Sequence, residues 1–213
     1  ISEIAASNSI KVLLSGAGGD DIFSGYRRHY ALDSEKYWAW LPLFFRKNMA
    51  TLSKLAPSSN HLMRRISKAF RYADYERDLR LVSYFYWLNP EIVLNLISET
   101  LQLNINKTSV SNPLLNRLDE IKTDSDILNK MLYIEQRHFL SDHNLAYTDK
   151  LGMARGVEIR VPFLDNDLVA FASSLPSNYK QRGRTGKWIL KKAMEGIIPD
   201  NIIAPQQIIL VES

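Results

Sequence analysis

The chain of 213 residues contains no cysteine. It can therefore form neither a disulfide nor a thiolate metal site, and this composition fits the reducing cytoplasm. It has no basic start followed by an apolar stretch, which is the pattern of a signal peptide. It also lacks a run of the ~20 apolar residues that a membrane-spanning helix needs. The longest aromatic run, YWAWLPLFF at Tyr37–Phe45, contains Pro42 and favours a buried hinge between two helices.

The chain has little excess charge of either sign. There are 27 Lys and Arg residues against 23 Asp and Glu residues, and the net charge is +4. So small a charge does not indicate a nucleic-acid partner. One segment without any carboxylate is an exception, and its cations are Lys180, Arg182, Arg184, Lys187, Lys191 and Lys192. It is either a solvated helix face, the usual meaning of such a run, or a site for a polyanion such as a nucleoside triphosphate.

Only one segment has the pattern of a strand. The run IKVLL at positions 10–14 predicts one fully buried, parallel-type strand. Because a parallel strand needs partners, we expect the chain to be a fragment of a larger sheet whose other strands come from elsewhere. Downstream, apolar residues recur at helical spacing, apart from a polar stretch at 101–119 that predicts a loop. The predicted chain is mostly α-helical and carries one strand.

The predicted strand runs into a glycine-rich loop, SGAGGDD, at positions 15–21. The loop has no Lys-Ser or Lys-Thr of a P-loop, and the third glycine of a dinucleotide fingerprint falls on Asp21. Its glycines permit positive φ and a nest of N–H groups that binds anions. Asp20 and Asp21 stand where a helix begins, so they could hold a Mg²⁺ ion that bridges phosphates. The alternative is a tight turn with an aspartate as helix cap.

A second cluster lies at Glu158 and Arg160, which alternate with apolar neighbours. In an extended stretch both side chains would point the same way, and Pro162 favours that conformation. The alternative is a structural Glu–Arg pair, with Asp165 or Asn166 capping the next helix.

Three segments resemble one known family. SGAGGDDIFSGYRRHY resembles the SGxGxDExFxGYxRY loop of the glutamine-hydrolysing asparagine synthetases. YTDKLGMARGVEIRVPFLDNDLVAFASSLP and GRTGKWILKKAMEGIIPDNI are similar to two later segments of that family, in the same order. The three segments cover about a third of the residues. It implies that residues 1–213 are part of an asparagine-synthetase-like synthetase domain with an α/β, adenine-nucleotide α-hydrolase-like fold.

The resemblance also implies a reaction. ATP adenylates the carboxylate of aspartate and releases pyrophosphate, and ammonia derived from glutamine then displaces AMP. The implied cofactors are ATP and Mg²⁺. The implied partners are small molecules, namely aspartate or another carboxylate and ammonia, with no nucleic acid and no membrane. Unpaired sheet edges would also favour a homo-oligomer.

Site residues follow from the matching positions. Asp20 resembles the Mg²⁺ ligand, and Tyr26 and Glu158 match a Tyr–Glu pair of the β-lactam-forming relatives, which makes them the catalytic candidates. The implied nucleotide-binding residues are Ser15, Gly16, Gly18, Asp21, Arg160 and Lys187.

The chain also departs from the family. The phosphate loop SGGxDS and the glutaminase domain with its N-terminal cysteine occur nowhere in these residues. Ala17 stands where the family has an acidic residue or glycine, and Asp21 stands where it has glutamate. Gln206 stands where the family segment RPKxGF has lysine. Residues 204–213 are predicted to be a tail foreign to the family. We therefore expect this chain alone to be inactive. The alternatives are a degenerate helical interaction module and an amidotransferase for another carboxylate.

Overall fold

The computed structural model describes residues 1–55, 61–102, 110–121 and 125–203. The predicted tail, with Gln206, lies outside them. Helices dominate the described residues, and two short strands, β1 (Val12–Leu14) and β2 (Glu158–Arg160), form one parallel sheet. The prediction of a mainly helical chain with a parallel-type strand near its start is confirmed.

The partner of β1 comes from this same chain, so the expectation that its partners all lie elsewhere is wrong. Leu13 pairs with Ile159, and the N–H of Ser15 donates to the carbonyl oxygen of Arg160 at 2.8 Å. The prediction that β1 is fully buried is also wrong. Leu14 is 75% exposed, because no described residue covers the face that it occupies.

The chain divides into two compact units, Ile1–Tyr30 with Glu135–Ser213, and Ala31–Ile134. In the first unit Phe23 meets Phe163 edge to face, with ring centroids 6.5 Å apart, over a core completed by Ile22 and Ala172. Its α-helices are Ser2–Ser7, Gly19–Phe23, Ala146–Met153, Asn166–Ser174, Ser177–Lys180, Trp188–Met194 and Asp200–Ile203, its π-helix is Glu135–Leu145, and its 3-10 helix is Pro162–Leu164. The helix Arg27–Asp33 begins in this unit.

The second unit has a larger apolar core. Its fully buried side chains include Leu81, Val82, Met131, Leu132 and Ile134. Its α-helices are Leu43–Lys54, His61–Phe70, Arg77–Ser83, Pro90–Asn95, Glu99–Gln102, Asn112–Asp119 and Ile127–Ile134, and its 3-10 helix is Ser34–Tyr37.

Two loop predictions need correction in this unit. The predicted loop at 101–119 contains the helix Asn112–Asp119, which forms because Leu118 joins the core. The aromatic run at Tyr37–Phe45 does join two helices at Pro42, but it is buried only in part, since Trp38 is 8% exposed and joins a core cluster whereas Trp40 and Phe44 are 73% and 70% exposed. In the described part of the chain, no helix combines the length and the apolar character needed to cross a membrane.

Candidate functional site

The glycine-rich loop leaves the end of β1 and packs on the segment that follows β2. Gly18 has a φ of +88°, and a Cβ there would lie 2.4 Å from Leu164 Cδ2. Glycine is therefore required twice over, by backbone conformation and by space. The helix Gly19–Phe23 begins directly after it, as the sequence indicates, and Ser15 Oγ accepts a hydrogen bond from the N–H of Ala17 at 3.2 Å. The glycine-rich loop thus packs against the second family-like segment, which contains Glu158 and Leu164.

The loop also meets the basic segment. Lys187 Nζ lies 2.9 Å from Asp20 Oδ1, and the two side chains are 33% and 36% exposed. A Cβ on Gly25 would lie 1.5 Å from that carboxylate oxygen and 2.7 Å from Lys187 Cε. The ion pair therefore occupies the space that the missing side chain of Gly25 leaves. The predicted metal ligand and one predicted nucleotide-binding cation are neighbours.

Buried backbone and side-chain contacts fix this approach. Ser24 Oγ donates to Gln181 Oε1 at 2.9 Å, and the N–H of Lys187 donates to the carbonyl oxygens of Phe23 and Ser24. A Cβ on Gly186 would lie 2.1 Å from the Ser24 carbonyl oxygen. Part of the basic segment thus packs on the turn after the glycine-rich loop, so the segment is not wholly a solvated helix face, and the polyanion site stays a prediction.

Tyr26 lies beside the same loop. Its hydroxyl donates to Asp21 at 3.3 Å and accepts from Asn144 Nδ2 at 3.2 Å. Asp21 is buried, and its burial, together with the nearby charge of Glu135, raises the pKa of its carboxyl to about 6. The pKa of the Tyr26 hydroxyl is also raised, first by burial and then by the charge of Asp21.

Glu158 and Arg160 form the pair that their spacing predicts. Arg160 Nε donates to Glu158 Oε1 at 2.8 Å on an exposed face of the sheet, and this bond lowers the pKa of the Glu158 carboxyl. In the described residues no contact joins Glu158 to Tyr26 or Asp20. The hydroxyl of Tyr26 donates to Asp21 instead, and Glu158 stands opposite Val12, two positions before β2 ends. The catalytic roles of Tyr26 and Glu158 stay predictions.

The fit to a magnesium ion rests on Asp20. No group of three or more acidic, histidine or cysteine side chains suited to a metal ion exists among the described residues. Mg²⁺ commonly takes one or two carboxylates and completes its shell with water and phosphate oxygens. Asp20 offers one partly exposed carboxylate, whose Oδ1 is paired with Lys187, so a magnesium site at Asp20 stays a prediction.

Sequence reasoning missed three polar residues beside Tyr26. Asn144 bonds its hydroxyl, and Glu135 and His29 lie buried next to it. Elsewhere, a cavity of about 200 Å³ in the second unit is lined by Tyr72, Tyr75 and Tyr86 together with Lys54 and Arg71. No predicted site residue lines it.

Comparisons with known proteins agree with the motifs. The asparagine synthase family model matches residues 1–207. The glutamine-hydrolyzing asparagine synthetase 1 of Bacillus subtilis is 30% identical over 199 residues, which are 93% of this chain and 30% of that protein. A putative glutamine-hydrolyzing asparagine synthetase of Mycobacterium tuberculosis is 30% identical over 201 residues, 93% of this chain and 29% of that protein. The chain spans less than a third of the length of these relatives. No solved structure matches at comparable significance.

Proposed function

Since the chain belongs to the asparagine synthase family, we propose that it contributes to ATP-dependent formation of an amide from a carboxylate and ammonia derived from glutamine. The observation that carries this proposal is the contact between Asp20 and Lys187, at 2.9 Å. These residues come from the first and third motifs, far apart in sequence. A shared site for a metal-bound polyphosphate would explain why these two residues lie together.

The chemistry sets what the chain must do. A carboxylate is a poor acceptor for ammonia because its leaving group is poor, and bound ATP supplies the adenylyl group that improves it. The protein then has to position two anions and to neutralise their charge. Asp20 would hold the magnesium ion, and Lys187 would contact the phosphates.

The remaining loop residues would complete the nucleotide site. Ser15, Gly16 and Gly18 lie in the turn between β1 and the helix Gly19–Phe23, where N–H groups can face an anion. Asp21 would brace this turn through Tyr26, and the exposed pair of Glu158 and Arg160 would contact substrate or nucleotide at the sheet. The acceptor is aspartate or another small carboxylate.

These roles belong to residues 1–213 as part of a synthetase domain, in which residues 204–213 are the predicted tail. The SGGxDS loop is absent from these 213 residues. We therefore propose that they bind ATP–Mg²⁺ weakly when they are present alone.

One observation favours a second candidate, a helical interaction module. Trp40, Phe44 and Phe45 are more than half exposed around the start of the helix Leu43–Lys54. Exposed aromatic side chains of this kind are enriched at protein interfaces.

The test is an affinity comparison by calorimetric titration with ATP–Mg²⁺. A single charge-assisted hydrogen bond is worth about 1.5–3 kcal/mol, so Lys187→Met should weaken binding about tenfold or more. Lys191→Met is the matched control, because Lys191 lies in the same basic segment but not at Asp20. An equal loss of ATP affinity in both variants, or no binding of ATP to the unmodified chain at millimolar nucleotide, would contradict the proposal.

A further inference from the structure

The segment that faces Tyr26 is a π-helix, Glu135–Leu145. Both of its ends contribute to the Tyr26 cluster, through Glu135 and Asn144. In an α-helix of 3.6 residues per turn, residues nine positions apart lie two and a half turns apart, on opposite faces. The i→i+5 bonds of a π-helix widen the turn to about 4.4 residues, so the same two positions lie about two turns apart, on one face. The cluster therefore depends on the π-helix.

The hydrogen bonds at the Tyr26 hydroxyl have a fixed direction. An amide nitrogen can only donate, so Asn144 Nδ2 donates to the Tyr26 oxygen at 3.2 Å. The single hydroxyl proton of Tyr26 is then directed to Asp21, whose carboxylate oxygens lie 3.3 and 3.4 Å away. Asn144 thus orients the bond from Tyr26 to the glycine-rich loop.

A second set of hydrogen bonds, through His29 and Glu135, fixes the backbone of Tyr26. Its N–H donates to His29 Nδ1 at 3.3 Å, so the other ring nitrogen carries the proton that faces Glu135 Oε2 at 2.6 Å. His29 and Glu135 are both 0% exposed, so they have no bulk water as a substitute partner. Arg28 pairs with Glu135, and its guanidinium lies 4.4 Å from the Tyr26 ring centroid and 4.5 Å from that of Phe139.

We propose that Asn144 and Glu135 are positioning residues, which the π-helix brings to one face to fix Tyr26 against Asp21 and the glycine-rich loop. Asn144 acts on the hydroxyl, and Glu135 acts on the backbone through His29. The inference deepens the proposed function, on which it rests for the use of Tyr26. The geometry itself can be tested without nucleotide, so failure here and failure of ATP binding are separate results.

The test measures amide hydrogen exchange in the 213-residue chain, together with the NMR signal of Tyr26 labelled with ¹³C at Cζ and assigned by Tyr26→Phe. Asn144→Ala should shift that signal and speed exchange of the Asp21 amide at least tenfold. Ser141→Ala, the control on the same π-helix, removes a hydroxyl that bonds the Arg137 carbonyl and should change neither. If Asn144→Ala does not fold, Asn144→Leu replaces it, since leucine has a similar shape and no donor.

A double variant separates positioning from general destabilisation. In the Tyr26→Phe background no hydroxyl remains for Asn144 to orient, so adding Asn144→Ala should leave exchange of the Asp21 amide unchanged. Equal acceleration with and without the Tyr26 hydroxyl, or no acceleration in either background, would overturn the proposal.

Discussion

Glu135 is the buried charge on which the Tyr26 cluster depends most. It is fully buried and is shared by Arg28 and His29. Removing one partner of a buried ion pair typically costs about 3–5 kcal/mol, because the other charge remains without compensation. Glu135→Gln should therefore lower the free energy of unfolding by an amount of this order, as measured by urea denaturation. Glu195→Gln, which breaks the exposed pair with Lys192, should cost less than about 1 kcal/mol. Similar losses in the two variants would contradict the account.

Asp21 makes the stability of the chain depend on pH. Its carboxyl pKa is raised from 3.8 to about 6 in the folded state, so the folded state holds the proton more tightly. This contribution to stability is fully present below about pH 4 and is lost as the pH rises through about 6. Asp21→Asn should therefore be more stable than the unmodified chain at pH 8, by up to about 3 kcal/mol, and equally stable near pH 4. Urea denaturation at both pH values measures this difference, and a difference that does not change with pH would contradict the assignment.

At the scale of residues, sequence reasoning found those with motif spacing and missed those without it. Asp20 and Lys187 were predicted from two motifs, and the structure places them in contact. Glu135 and Asn144 were missed because their separation puts them on opposite faces of an α-helix. A 3.6-residue pattern detects α-helices and does not detect π-helices. Nothing in the local sequence signals the wider turn.

At the scale of elements, Gly25 links the glycine-rich loop to the basic segment. A Cβ there would lie 1.5 Å from Asp20 Oδ1, so Gly25→Ala should displace the ends of the Asp20 and Lys187 side chains. Because both side chains are flexible and about a third exposed, the loss of stability should stay below about 1 kcal/mol. Gly16→Ala is the control in the neighbouring loop, where a Cβ would meet nothing within 4 Å. The NMR signals of the Lys187 side chain should shift in Gly25→Ala and stay unchanged in Gly16→Ala, and unchanged signals in both variants would contradict the contact between Asp20 and Lys187.

The strands show what an apolar pattern can and cannot reveal. The run before Ser15 is long and β-branched enough to predict β1, whereas β2 has only three residues, Glu158–Arg160, two of them charged. β2 is a strand because it pairs with β1, and such pairing between distant segments is not visible in the local sequence. The exposure of Leu14 could not be predicted either, because an apolar run predicts burial without showing which residues would cover it.

At the scale of the whole molecule, the resemblance assigned three segments to one synthetase domain, and in the structure the first segment contacts each of the other two, at Gly18 and Gly25. The division into two units was not predicted, because no proline- or glycine-rich linker marks it. Helical periodicity identifies helices one at a time and does not show which of them share a core.

The 213 residues do not contain the phosphate loop SGGxDS that the family resemblance implies for nucleotide binding. Loss of charge-assisted hydrogen bonds worth about 4 kcal/mol in total would weaken nucleotide binding roughly a thousandfold. We therefore predict no pyrophosphate release by the 213 residues with ATP–Mg²⁺, aspartate and ammonia. A pyrophosphate-release assay measures this, and turnover above the rate without protein would show that the chain is an enzyme by itself.

The most direct test of the proposed nucleotide site is an NMR titration of the ¹⁵N-labelled chain with ATP–Mg²⁺. The account predicts saturable shifts of the amides from Ser15 to Asp21 and of Lys187, and Asp20→Asn should abolish their dependence on magnesium. Shifts confined to the tyrosine-lined cavity of the second unit, or no shift at millimolar nucleotide, would contradict the claim that Asp20 and Lys187 bind a metal-bound polyphosphate.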